Sequence, residues 1–156
     1  MVLLENNIIN PSKVSHSYEA AFLADLLRNE LLDASKKITF ETVMSHPSKI
    51  AFLRKAKQKG YRVYLYFVST ESPLINVNRV EQRVKLGGHP VRKDKIESRY
   101  YKSLSLLKEA IEVSYRAFIF DNSGKETKLI LEVFKGEKIT FHQSEIPKWV
   151  EHYILS

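Results

Sequence analysis

The sequence predicts an α/β domain: a mostly parallel sheet flanked by helices, with an antiparallel hairpin at its C-terminal edge. Three observations carry that expectation. Tyr61–Ser69 is aromatic, β-branched and almost uncharged, the pattern of a central strand buried on both faces. Segments of helical periodicity alternate with it and with a second short apolar run, Ala117–Phe120. Finally, Lys128–Phe134 and Lys138–Phe141 flank Lys135-Gly136-Glu137 as the two arms of a hairpin. A length of 156 residues fits one domain, expected over 1–156.

Each element has its own signal. Residues 1–12 run from apolar to polar without a period and are expected to be loosely anchored. Between Ser15 and Leu32, Ala21, Phe22, Leu26, Leu27 and Leu31 recur at helical spacing. Lys37–Glu41 alternates briefly and reads as a strand ending in a carboxylate. Pro47 stands where a first helical residue would and Gly60 follows the last turn, which predicts a helix over Pro47–Lys59. Ser72-Pro73 opens another helix that runs to the Gly87-Gly88 break. A further helix over Lys93–Val113 places Ile96, Tyr100, Leu104, Leu107 and Ile111 on one side, so 73–113 forms a helical region between two strands. Asp121-Asn122-Ser123-Gly124 is a turn, and Pro147 starts a terminal helix with Trp149 and Tyr153.

Composition narrows the classes. The chain has no cysteine, which excludes a disulfide framework and cysteine-liganded zinc and fits a reducing, cytoplasmic setting. No apolar run reaches the roughly 18 residues of a membrane span, and the N-terminus lacks a signal-peptide layout. The net charge is +7, and Arg79–Lys102 supplies most of it, with eight Lys/Arg against three Asp/Glu, a local +5. A basic chain serves nucleic acid or a small phosphorylated ligand equally well.

In that block Arg79 and Arg83 lie four residues apart before Gly87-Gly88-His89, and Arg99 follows on the next helix. Guanidinium forks match phosphate oxygens bidentately, so the arrangement reads as a cationic lid over an anion. The bland alternative is a solvated helix face whose arginines pair with Glu81 and Glu97. In parallel sheets ligands gather beyond the carboxyl ends of the strands. Three polar clusters fall at such ends: Glu41-Thr42, Ser69-Thr70-Glu71 and Asp121-Asn122-Ser123. His89 reads as a turn residue, because no second histidine or carboxylate stands at metal-ligand spacing, and no metal site is expected. Tyr64, Tyr66 and Phe67 read as core packing, whereas Tyr100 and Tyr101 are better placed as stacking surfaces.

Taken in order, Phe40-Glu41-Thr42-Val43-Met44-Ser45, Gly60-Tyr61-Arg62-Val63, the Arg79–His89 block, Arg99-Tyr100 and Asp121-Asn122-Ser123 resemble the zeta-toxin-type P-loop kinases from about Ile9 to Trp149. The resemblance implies a P-loop-kinase-like fold and transfer of the γ-phosphate of ATP, with Mg²⁺, to a hydroxyl of a small acceptor. It implies that Glu41 contacts the acceptor with Thr42 beside it. Arg79, Arg83 and Arg99 would then be lid arginines on the triphosphate, and Asp121 and Asn122 would lie near the nucleotide base. It also raises an antitoxin as a partner.

Two family features have no counterpart in the chain. No Gly-x-x-x-x-Gly-Lys-[Ser/Thr] loop occurs in it, and Asn10-Pro11-Ser12 places a serine where the family has its general-base aspartate. The expectation is therefore a first strand and P-loop missing from this chain, which would be inactive alone. An unpaired sheet edge would then be filled by Met1–Asn10 or by a second copy, giving a homodimer. A non-catalytic relative that binds a nucleotide or phosphosugar remains an alternative. A basic nucleic-acid or protein interaction module also remains, ranked last because no nucleic-acid motif supports it.

Overall fold

The computed structural model describes residues 14–156, with side chains from residue 19 onward. The expectations for residues 1–12, including Asn10-Pro11-Ser12 and the strand-filling role of Met1–Asn10, lie outside the described residues. The chain divides into two compact units, Met1–Thr42 and Val43–Ser156.

In the first unit, helix α1 covers Val14–Asp33. Arg28 pairs with Asp25 one turn back, and its guanidinium lies 4.9 Å from the centre of the Phe40 ring. The α1 residues Phe22, Leu23, Leu26 and Leu27 are exposed. Lys37–Glu41 is not a strand. Five alternating residues give weak register information, and no described strand pairs with them.

The second unit is a four-stranded sheet with helices packed on one face. Helix α2 (Pro47–Gln58) leads into β1 (Tyr64–Ser69). Helices α3 (Pro73–Lys85), α4 (Lys93–Ser105) and α5 (Leu107–Val113) follow. The predicted Lys93–Val113 helix is thus interrupted at Leu106. Strands β2 (Arg116–Asp121), β3 (Lys128–Phe134) and β4 (Lys138–Phe141) come next. The C-terminus closes with α6 (Lys148–Val150) and a π-helical turn over Glu151–Leu155.

The strand order is β1-β2-β3-β4. Only β1 and β2 are parallel, whereas β2–β3 and β3–β4 are antiparallel. The sheet is therefore mixed rather than mostly parallel. A single crossover, from β1 through the helices to β2, makes up the parallel part of the described sheet. The C-terminal hairpin forms as predicted. Between Ile119 and Phe120 the register skips Ile130, a bulge that lets the consecutive Ile130 and Leu131 both be buried.

The second correction concerns β1. It is an edge strand, and its burial alternates: Phe67 and Ser69 are buried, while Tyr64, Tyr66 and Val68 are exposed. Within this unit the described helices pack against one sheet face. There Ile50 of α2, Leu104 of α4, Leu107 and Ile111 of α5, and Trp149 pack against Phe67, Ile119, Leu131 and Val133. Apolar burial of this kind is the main stabilising contribution. Leu107 is fully buried at the centre of that layer. Leu107→Ala should cost about 2–5 kcal/mol of unfolding free energy, read as a lower urea midpoint at an unchanged slope.

Candidate functional site

The adjacent strands β1 and β2 end in register, Ser69 opposite Asp121. The backbone N–H of Asn122 donates to the Ser69 carbonyl at 2.8 Å, extending the pairing one step beyond the strands. The Asp121 carboxylate then gathers the segments around it. Its Oδ1 accepts from the indole N–H of Trp149 at 2.9 Å and from the Ser123 hydroxyl at 2.8 Å. Its Oδ2 accepts from the Ser123 backbone N–H at 3.0 Å, an Asx-type turn. Ser123 Oγ in turn accepts from the Glu71 backbone N–H at 2.7 Å, tying the β2 turn to the segment after β1.

Helices α3 and α4 are fastened to these tips. Helix α3 is started by Ser72, whose hydroxyl accepts from the Leu74 N–H at 3.3 Å, with Pro73 in its first turn. One turn and a half further on, Arg79 Nη2 donates to the Asn122 carbonyl at 2.8 Å. On α4, the Tyr100 hydroxyl donates to the Thr70 carbonyl at 2.7 Å. Tyr100 is buried, so it is an anchor and not a stacking surface, whereas Tyr101 beside it is exposed. Burial, and after it the negative charge of Glu71, pushes the Tyr100 hydroxyl up to about 12.

The Gly87-Gly88 break has a structural cause. The Gly87 N–H donates to the Val84 carbonyl at 3.0 Å and the Gly88 N–H to the Arg83 carbonyl at 2.9 Å, the paired bonds of a Schellman stop. Gly87 has φ +89°, the left-handed conformation that favours glycine. A Cβ on Gly88 would stand 2.7 Å from Arg83 Cγ and 2.9 Å from its carbonyl oxygen. The turn therefore wraps directly over Arg83.

Of the sequence-predicted residues, Arg79, Asp121 and Asn122 are brought together. Arg83 lies one turn past Arg79 on α3, and Arg99 precedes the Tyr100 anchor on α4. Among the described residues neither Arg83 nor Arg99 has an ion-pair or hydrogen-bond partner, and Glu97 lies 3.9 Å from Lys93 instead. The surface ion pairs expected of a merely solvated face are thus not made by the lid arginines. Glu41 and Thr42 are exposed residues of the first unit. The sequence reading did not find Trp149 as a partner of Asp121 or Tyr100 as a partner of Thr70. Both contacts cross long separations, and neither residue type signals them.

Chemically, the tips offer the Arg79 guanidinium, donating to a backbone carbonyl, next to a carboxylate that already accepts three hydrogen bonds. That suits an anion and leaves Asp121 little capacity for a further ligand. Among the described residues no group of three or more His, Asp or Glu could hold a metal ion.

A family model described as zeta toxin matches residues 10–131. The chain belongs to the zeta toxin family. An uncharacterized protein of Haemophilus influenzae is 35% identical to this zeta toxin relative over 60 residues, which is 38% of the chain and 43% of that protein. The chain therefore matches less than half the length of that relative. No solved structure matches it. No helix among the described residues is long and apolar enough to cross a membrane.

Two outcomes test this geometry. Tyr100→Phe should lower stability by about 1 kcal/mol through loss of one hydrogen bond. An unfolded tyrosine with the ordinary value of 10.0 loses its proton before the folded one, so the Tyr100 contribution is complete below pH 10 and is lost as pH rises toward 12. Urea titrations should accordingly show wild type losing stability more steeply than Tyr100→Phe over that interval. Gly88→Ala should cost about 1–2 kcal/mol by forcing the turn off Arg83, and an unchanged urea midpoint would refute the close packing.

Proposed function

We propose that this chain is a zeta-toxin-type phosphotransferase domain bearing an arginine lid and that by itself it binds a nucleotide or phosphorylated small molecule without transferring phosphate. The supporting observation is the arginine lid. Arg79 is docked on the strand tips, and Arg83 and Arg99 carry charge that no described carboxylate neutralises.

In phosphoryl transfer, positioning and charge neutralisation supply most of the catalysis. Arg79, Arg83 and Arg99 would take the triphosphate of ATP, and Asn122 would lie by the base. Asp121 would act by shaping that turn, because its oxygens already accept three hydrogen bonds. By family resemblance Glu41 and Thr42 would bind the hydroxyl-bearing acceptor. Magnesium, carried with the nucleotide, would offset phosphate charge. No Gly-x-x-x-x-Gly-Lys-[Ser/Thr] loop lies in the 156 residues to cradle the phosphates, and no residue here is assigned as the base. That is why binding, and not turnover, is proposed for the chain alone.

Titration calorimetry on the full chain, with circular dichroism showing it folded, tests the proposal. ATP-Mg²⁺ or a uridine-diphosphate sugar should give saturable heat. Arg79→Ala, Arg83→Ala and Arg99→Ala should each weaken binding about tenfold or more, as expected for loss of a charge-assisted bond. Absence of heat with every nucleotide ends the binding reading, and phosphate transfer by the chain alone ends the claim that it only binds.

A further inference from the structure

The sheet face opposite the helices is aromatic and cationic, and the strand register defines it. Tyr64 is level with Arg116 and Phe134, Tyr66 with Phe118 and Glu132, and Val68 with Phe120, so these side chains share one face. Thr140 and Lys138 of β4 continue the rows. Tyr64 is 50% exposed and Tyr66 64%.

The rings are ordered with respect to one another. Tyr66 stacks on Phe118 with centroids 4.9 Å apart and planes 14° apart. Tyr115 meets Tyr64 at 5.7 Å and Phe134 at 5.2 Å, both edge to face. Cations lie over several of them. Arg62 is 5.0 Å from the Tyr115 ring centre, Arg116 5.6 Å from that of Phe134, and Lys135 5.4 Å from the same ring.

We propose that this face is a binding platform for single-stranded nucleic acid, independent of the arginine lid at the strand tips. The conjunction of ring and charge selects the ligand. Exposed rings on a sheet stack unpaired bases, and Arg and Lys beside them meet the phosphates. Arg62, Arg116, Lys135 and Lys138 stand against one carboxylate on the face, Glu132. An apolar protein partner would leave those cations desolvated and unpaired. A second copy applied through the same face by two-fold symmetry would oppose like charges. A duplex keeps its bases stacked inside and offers the rings nothing to stack on. The Tyr66 ring has one side on Phe118, so a base would extend an existing stack.

The test is fluorescence anisotropy on the full chain with labelled twelve-nucleotide dT and rU strands and a duplex of the same length. Single strands should bind at low salt, more tightly than duplex, with affinity falling steeply as salt rises. Tyr66→Ala and Tyr66→Leu should each weaken binding about tenfold, because leucine keeps apolar area but removes the ring. The combined Arg79→Ala, Arg83→Ala, Arg99→Ala variant should bind oligonucleotide as wild type does. No single-strand binding at low salt overturns the proposal, as does Tyr66→Leu binding like wild type, or loss of binding with the lid variant alone. Two further results also overturn it when oligonucleotide affinity is absent: a dimer in light scattering that Tyr66→Ala dissociates, and capture by phosphatidylserine vesicles. The first would give the face to a second copy and the second to a lipid surface.

Discussion

The Asp121 carboxylate is the constraint on which the candidate site depends. It sits at the end of β2, level with the last residue of β1, and draws the Trp149 indole and Ser123 onto the strand tips. Ser123 passes the connection to Glu71, and Arg79 closes the loop by donating to Asn122. Four segments distant in sequence thereby share one small hydrogen-bond network. In such a network each bond fixes the geometry of the next, so the position of the α3 arginines is set by a carboxylate on another element. The phosphate-binding role proposed above does not require Asp121 to touch the ligand.

Much of the architecture was legible because glycine and proline punctuate it. Pro47 and Gly60 bound α2, Ser72-Pro73 and Gly87-Gly88 bound α3, and the Lys135-Gly136-Glu137 turn makes the hairpin. These are local rules, set by a missing N–H or a positive φ, and they hold whatever the tertiary context. The strands were less legible, for a physical reason. An uncharged aromatic strand such as Tyr64–Ser69 looks alike whether both faces are covered or one face is left open, and only pairing and layering decide. Lys37–Glu41 had the alternation of a strand, but none of the four strands of the described sheet includes it. Of the site, the arginines could be read from composition and spacing. Trp149 and Tyr100 could not, since their bonds to Asp121 and Thr70 depend on how the chain returns.

Arg79, Arg83 and Arg99, the arginines of the proposed lid, carry charge that no carboxylate among the described residues neutralises. Arg79 spends one donor on a carbonyl, which fixes its position while leaving its charge intact. A carboxylate in that place would have offset the charge and competed with any incoming phosphate. The Schellman turn does comparable work for Arg83, because Gly88 lies against the arginine's own backbone and lower side chain and leaves its head without a partner among the described residues. Neutral backbone groups thus fix these positions and leave the charge un-neutralised, the arrangement that electrostatic preorganisation needs in the function proposed above.

The same reasoning separates the two basic regions. At the strand tips the Arg79 guanidinium stands beside a backbone carbonyl and a carboxylate whose oxygens already accept hydrogen bonds, a setting compatible with the compact anion proposed above. On the open sheet face the cations lie over aromatic rings, and their charge is presented alongside π-surface rather than instead of it. A polyphosphate has no use for rings, and a stacked base has little use for a lone guanidinium cluster. Within the second unit the described helices pack against the other side of the sheet, and Tyr64, Tyr66 and Val68 of the edge strand β1 are exposed. The aromatic content of the open face therefore cannot be explained as interior packing, and a protein that exposes Tyr64 and Tyr66 beside Val68 keeps an apolar surface that water alone would disfavour.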